Sequence, residues 1–322
     1  MTDNAVMTEV TLDDVIQNTQ SILSSDNKTE RKVVLLYNAL TNFRVEDQLF
    51  GKESDDSLEK SALVLEEASN IAYKTPDLKW TRKTVAVLCQ YFSRMAQNAK
   101  INTTKIAIGL KWVNVAKRYS DWISQVGLVS EVFVGKTQLG YAAKFVATNS
   151  HHESEQQRRH AKLWYKSFQD VVHEFPNVIE ARKREKANYD GTFDSYKLGV
   201  YHYVCGLGAK FLAKVTPFNS NLEKNNKIGY YRAAINHFTD AISGLDHSRP
   251  GFLANVCQDV AGSLYAIHIL NGNKSSQTDM NDMVYCYKFF LRHNKPSESS
   301  DKLDLIDRIQ SRLIYLERIL LK

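Results

Sequence analysis

The two stretches SYKLGVYHYVCGLGAKFLAKV (residues 195–215) and NKIGYYRAAINHFTDAISGL (residues 226–245) decide the fold class. In the first, Tyr196, Val200, Tyr203, Val204, Leu207 and Phe211 recur at spacings dominated by three and four. In the second, Tyr231, Ala234, Ile235, Phe238, Ala241 and Leu245 do the same. That period stacks side chains on one face of an α-helix. Two such faces in close succession must pack as an antiparallel hairpin, because the link is too short to span a helix length. The polar run from Thr216 to Asn226 is expected to be the connecting loop. Gly206 and Gly208 fall inside the first stripe, with no strand before them and no third glycine. A phosphate cradle needs free N–H groups at a strand-to-helix turn, so these glycines are read as helix-packing residues.

The helical period extends outward in both directions. Val15, Ile16, Thr19, Ile22 and Leu23 form a first face, opened by Thr11 and Asp14 as a capping box. Val33, Leu36 and Leu40, then Leu58, Ala62, Leu65 and Ala68, then Val85, Leu88, Phe92 and Met95 repeat the pattern. Thr103 or Thr104 is expected to cap a long helix through Ile106, Leu110, Val113 and Trp122. LVSEVFV (128–134) has strand-like composition, but a lone strand has no partner, so it is assigned to a loop or helix start. Pro176 is expected to end the helix carrying Trp164, Phe168, Val171 and Phe175, or to start the next. Pro250 opens a helix, and Ser300 is a cap candidate for the last one, through Ile306, Ile309, Leu313, Leu316 and Leu320. On that helix Asp304 and Arg308 are spaced for an i,i+4 ion pair. Only 14 glycines and 5 prolines punctuate 322 residues, too few for the turns of a sandwich or barrel. The expectation is an all-α protein: about a dozen antiparallel helices in a bundle or a tetratricopeptide-like solenoid.

Several function classes drop out. No run of 18 apolar residues spans a membrane. The start, MTDNAVMTEVTLDD, is acidic and lacks a secretory h-region, so a cytoplasmic location is expected. Cys89, Cys205, Cys257 and Cys286 are far apart in sequence and read as reduced, buried thiols. No phosphate-binding loop lysine motif, nucleophile elbow or H-E-x-x-H is present, so neither an enzyme nor a cofactor is expected. His151, His152 and His160 cluster near Glu153 and Glu155, but a third ligand in a solvated segment is not indicated, and no metal site is assigned.

Charge is the informative composition. Residues 1–78 carry 7 basic and 15 acidic residues, a balance of −8. Residues 79–227 carry 24 and 11, a balance of +13, and the remainder carries +1. The chain is therefore divided into acidic N-terminal helices (1–78) and a helical body (79–322) with a basic middle, read as one continuous structural unit. The local basic runs are Lys117 and Arg118; Arg158, Arg159, Lys162 and Lys166; and Arg182, Lys183, Arg184 and Lys186. Such runs suit an acidic peptide, an anionic lipid surface or RNA. Tyr201, among Tyr196, His202 and Tyr203, is a candidate groove residue, since tyrosine offers apolar area and a hydroxyl. Self-association of the acidic end of one copy with the basic middle of another also follows from this charge pattern.

The pairing of Leu207-Gly208 and Phe211 with Ala234, Phe238 and Ala241 resembles one tetratricopeptide hairpin, without a second copy at that repeat spacing. Residues 195–245 together with Lys79-Trp80-Thr81 resemble the Alix-type Bro domain. That resemblance implies a curved scaffold binding a short helix of an ESCRT subunit. The C-terminal half, with Tyr265 and Ile269-Leu270-Asn271, also looks like a fourteen-three-three protein. That family's Arg-Tyr phosphate pair is replaced by Tyr201-His202-Tyr203, and phosphopeptide binding is not carried over. The lead expectation is a non-enzymatic protein-interaction scaffold that binds a helical or acidic peptide. The alternative is an RNA-binding, viral-type nucleoprotein whose basic central helices contact phosphates.

Overall fold

The structure is a computed structural model. It describes residues 11–41, 50, 53–75, 77–126, 129–185, 194–245, 250–294 and 300–321. These form twelve helices and, among the described residues, no strand. We label them α1 (Leu12–Ser24), α2 (Thr29–Thr41), α3 (Asp55–Ala72), α4 (Leu78–Asn98), α5 (Asn102–Val126), α6 (Val129–Asn149), α7 (Glu155–Glu185), α8 (Asp194–Val215), α9 (Asn221–Gly244), α10 (Pro250–Leu270), α11 (Gln277–His293) and α12 (Ser300–Leu320). The all-α class is as the hydrophobic period requires. No helix among the described residues is long and apolar enough to cross a membrane.

Local chemistry sets the helix starts. Thr11 and Asp14 form the expected capping box, with the Thr11 N–H donating to Asp14 Oδ2 at 2.7 Å. These bonds hold the Asp14 carboxyl below the usual range. Ser54, Asp77, Ser220 and Ser276 cap α3, α4, α9 and α11 with side-chain oxygens. Each satisfies an N–H that the first turn leaves without a partner. Pro250 occupies the first position of α10, where its missing N–H costs nothing.

The chain divides into two compact units, residues 1–150 and 151–322. The charge boundary at 78 is therefore not a packing boundary: α3 and α4 pack on each other across it. In the first unit, α1 to α4 contact one another in several combinations, α5 packs on α3 and α4, and α6 packs on α5. Its core holds Leu36, Leu40, Leu65, Phe92 and Tyr119, all buried. The Tyr91 hydroxyl reaches across to donate to the Leu40 carbonyl at 3.1 Å. The second unit packs in sequence order, each helix from α7 to α12 lying chiefly on the next. That serial arrangement is solenoid-like. All four cysteines are free and buried.

The described part of LVSEVFV, from Val129, is the helix start that its reading allowed, opening α6; Leu128 lies outside the described residues. Three other local expectations are corrected. The α8–α9 connection is Thr216–Ser220, and Asn221–Asn226, read as loop, is the opening of α9. α5 begins at Asn102, and Thr104 instead donates its hydroxyl to Glu59 Oε1 at 2.7 Å, tying α5 to α3. Ser300 is the first residue of α12 and not the residue before it.

Pro176 neither ends nor starts a helix. It lies inside the 31-residue α7, on an exposed face. The apolar anchors Val171, Phe175 and Val178 are buried on both sides of it, so packing carries the helix through. The missing N–H leaves the Val172 carbonyl without its ordinary helical donor. Proline is about 3 kcal/mol worse than alanine inside a helix, partly offset by its restriction of the unfolded chain. Pro176→Ala is expected to raise stability by about 2 kcal/mol, read as a higher urea midpoint at unchanged slope.

Candidate functional site

The described basic residues singled out in the sequence fall on two helices, α5 of the first unit and α7 of the second. Lys117 and Arg118 lie on α5 in the first unit, both exposed. Arg118 stacks over the Tyr73 ring at 4.8 Å and donates to the Asn70 side chain. Glu66 and Asp121 line the same shallow cavity, which dilutes its charge. The other runs occupy α7 in the second unit. Arg159, Lys162 and Lys166 are exposed along the first half, and Arg158 donates to the Glu153 carbonyl at 2.6 Å. Arg182, Lys183 and Arg184 form the last turn, where positive charge offsets the helix dipole. Lys183 pairs with Glu180 at 3.2 Å. Lys186 lies outside the described residues. From Lys166 to Arg182 the axis advances ~24 Å at about 1.5 Å per residue, so these two runs mark opposite ends of one helix.

Tyr201 is a packing residue of α8 against α7. Its ring lies 5.7 Å from Phe175 and 6.5 Å from Phe168. His160, from the histidine cluster, is buried and its Nδ1 is hydrogen-bonded to the Gln156 carbonyl at 2.8 Å.

Cations do converge elsewhere in the second unit. α8 supplies Lys210 and Lys214, α9 supplies Lys227, and α12 supplies Arg308 and Arg312. Together they line a cleft of about 480 Å³ whose apolar wall includes Tyr231, Tyr265, Ile269 and Leu305. The i,i+4 spacing of each pair explains why both members reach it: positions four apart share a helix face. Gly262 on α10 keeps the floor open, since a Cβ there would sit 3.3 Å from Lys210 Nζ.

One of these cations carries a counter-charge of its own. Lys210 Nζ lies 2.6 Å from Asp259 Oδ1, both side chains being 12% exposed. The Tyr203 hydroxyl donates to the other carboxylate oxygen at 3.1 Å, and burial followed by this charge raises the tyrosine pKa. Lys210 is thus matched, and the remaining cations form the surplus. Arg312 stacks on Tyr265 at 4.5 Å and reaches the Tyr287 hydroxyl at 3.4 Å. Lys227 donates to the Thr216 carbonyl at 3.1 Å. Arg308 uses its Nε on the Asp304 main-chain carbonyl at 3.1 Å, in place of the side-chain ion pair suggested by the spacing. Desolvation, then Lys210, Arg308 and Arg312, lower the Lys214 pKa against the pull of Asp259. Beside the larger effect of desolvation stands this crowding of cations. A bound anion would relieve it.

A larger cavity of about 750 Å³ lies in the first unit between α4, α5 and α6. Its lining mixes Gln90, Gln97 and Gln138 with the aromatic rings of Trp112, Tyr141 and Phe145, and Arg94 and Lys144 are its cations. Burial lowers the Lys144 pKa. With two cations against five, it draws an anion less strongly than the smaller cleft, which is the stronger candidate for an acidic ligand.

One further group has metal-ligand chemistry. His202 on α8 and His237 and Asp240 on α9 present three ligand atoms within 4.8 Å of one another.

No family model matches the chain, and no curated protein matches it. Among solved structures, a chain from the computational design of self-assembling cyclic homo-oligomers aligns with 95% of this chain and 97% of its own, at 12% identity. Its TM-score is 0.18, a likeness too slight to carry an argument.

Proposed function

We propose that the protein is a non-enzymatic interaction scaffold that receives an acidic segment of a partner protein in the α8–α9–α10–α12 cleft. One observation carries this reading: five cations from three helices meet on an apolar wall, and only Lys210 among them is paired with a carboxylate, Asp259. Apolar side chains of a peptide would pack on Tyr231, Tyr265 and Ile269 while its carboxylates met Lys214, Lys227, Arg308 and Arg312. Arginine gives two parallel donors to a carboxylate, which sets orientation as well as attraction. The combination suits a protein segment better than a nucleic acid, whose bases would ask for stacking faces along an extended basic track. The four free, buried thiols agree with a reducing, cytoplasmic setting.

The test is a fluorescence-anisotropy titration with a Glu/Asp-rich amphipathic peptide, repeated with single-stranded RNA and at several salt concentrations. Binding of the peptide is expected, and Arg308→Glu or Lys214→Glu should weaken it by about ten- to a hundredfold, the worth of one charge-assisted contact. Both residues are exposed, so both variants should fold. Arg159→Glu and Lys162→Glu on α7 should leave peptide affinity unchanged. Preferential RNA binding with a steep salt slope, lost on the α7 substitutions, would replace this reading with the nucleoprotein one.

A further inference from the structure

We propose that His202, His237 and Asp240 form a zinc site with one coordination position open to water. His202 stands on α8, and His237 and Asp240 are one turn apart on the facing side of α9. The two Nδ1 atoms lie 3.2 Å apart, and His202 Nδ1 lies 3.5 Å from Asp240 Oδ2. Zn–N bonds of about 2.0–2.1 Å in a tetrahedron put neighbouring ligand atoms about 3.3 Å apart. The nitrogen pair therefore already has the spacing of a tetrahedral edge, and the Asp240 carboxylate lies within 4.8 Å of both nitrogens.

A cation between the rings would bond both nitrogens at once. Two neutral imidazoles facing each other through Nδ1 are compatible only if one carries the hydrogen and the other accepts it. Protonating both would place two charges 3.2 Å apart. The Tyr165 ring from α7 meets His237 edge-on at 6.2 Å and 77°, which holds that imidazole in place. The Asp240 side chain is 58% exposed, so the fourth position faces solvent. Three protein ligands plus water is the arrangement of an open zinc site, in contrast to the four-ligand structural kind. The ion would also cross-link α8 to α9. This site is independent of the cationic cleft, whose residues it does not use.

The experiment is calorimetric titration of the tag-free 322-residue chain with Zn²⁺, paired with thermal unfolding and with Co²⁺ as a spectroscopic probe. One equivalent is expected to bind, with unfolding temperature rising with Zn²⁺ and not with Mg²⁺. Co²⁺ should give the visible absorption of a low-coordinate nitrogen and oxygen site. His237→Gln should weaken uptake by more than about a hundredfold and abolish the Co²⁺ band. Asp240→Asn, at an exposed position, should weaken it by about tenfold without disturbing the fold. Circular dichroism checks that both variants are helical. Absence of heat and of any thermal shift would overturn the proposal. So would Zn²⁺ uptake unchanged in both variants, which would place the metal on other histidines.

Discussion

Replacing Asp259 by alanine is expected to lower the unfolding free energy by about 3–5 kcal/mol, the range for breaking a buried pair from one side. The magnitude follows from what remains. Lys210, 12% exposed, would keep its charge with its partner at 2.6 Å removed. Around it stand Lys214, Arg308 and Arg312 and no replacement carboxylate in the cleft lining. The Tyr203 hydroxyl would lose its acceptor at the same time. Asp259→Asn keeps an acceptor for Tyr203 but removes the charge, so it should fall between wild type and alanine. The double variant Lys210→Met with Asp259→Leu removes both charges and fills the space. It should recover most of the loss, because an ion pair and a well-packed apolar pair are often close in stability. Urea unfolding of the four proteins closes the thermodynamic cycle. If Asp259→Ala loses less than about 1 kcal/mol, the pair is behaving as a surface ion pair and the cleft is wetter than its geometry implies. The same carboxylate restrains the cleft's function. Asp259→Asn, if folded, should bind the acidic peptide more tightly than wild type, so stability and affinity are expected to move in opposite directions.

Which parts of the molecule are legible in the sequence follows from what each part demands of the chain. The helices are legible, because burial imposes a period of about 3.6 on every one of them and nothing else in the chain competes with it. The differences arise where two local signals disagree. Asn221–Asn226 is polar and looks like loop, yet Ser220 and Glu223 are spaced as a capping box. Asn219 N–H bonds Glu223 Oε2 at 2.8 Å, and the helix starts there. Pro176 looks like a stop, but Val171, Phe175 and Val178 keep the apolar period on either side, and the proline faces solvent. The candidate cleft is not legible, for a different reason. Basic runs such as Arg158–Lys166 and Arg182–Arg184 are conspicuous along the chain, but a run on one helix spreads its charges outward. A cleft draws single residues and pairs from distant segments, here Lys210 and Lys214, Lys227, and Arg308 and Arg312. The only trace each pair leaves is an i,i+4 spacing, and Asp304 beside Arg308 disguises one of them as an ordinary surface ion pair. The His202–His237 contact likewise joins residues 35 apart and has no local motif.

Gly206→Ala is expected to destabilise the protein by about 2 kcal/mol, while Gly229→Ala, the same change in the same helix pair, should stabilise it by about 1 kcal/mol. The α8–α9 seam supplies both signs. A Cβ on Gly206 would lie 2.6 Å from two ring carbons of Phe238 and 3.2 Å from the Ala234 carbonyl. Phe238 is fully buried and braced by Tyr203 at 5.9 Å, so its ring cannot swing aside. The helices would have to separate, and overpacking of this kind costs about 1–3 kcal/mol beyond the gain in helix propensity. Gly208, about 200° further round the same helix at about 3.6 residues per turn, faces α7, where a Cβ would come within 3.2 Å of Tyr165 Cα. One turn of α8 is therefore pressed between two helices, which is why Gly206-Leu207-Gly208 resembles a nucleotide loop in letters and does helix packing in space. A Cβ added at Gly229 on α9 would meet nothing within 4 Å, and the position is exposed, so alanine there gains propensity without a clash. Phe238→Leu in the Gly206→Ala background should return part of the lost stability, since the leucine side chain is shorter and can turn away. A Gly206→Ala protein as stable as Gly229→Ala would mean that the two helices are not held at the separation the glycines allow. The His202–His237 spacing depends on that same separation, so the zinc affinity of Gly206→Ala should fall together with its stability.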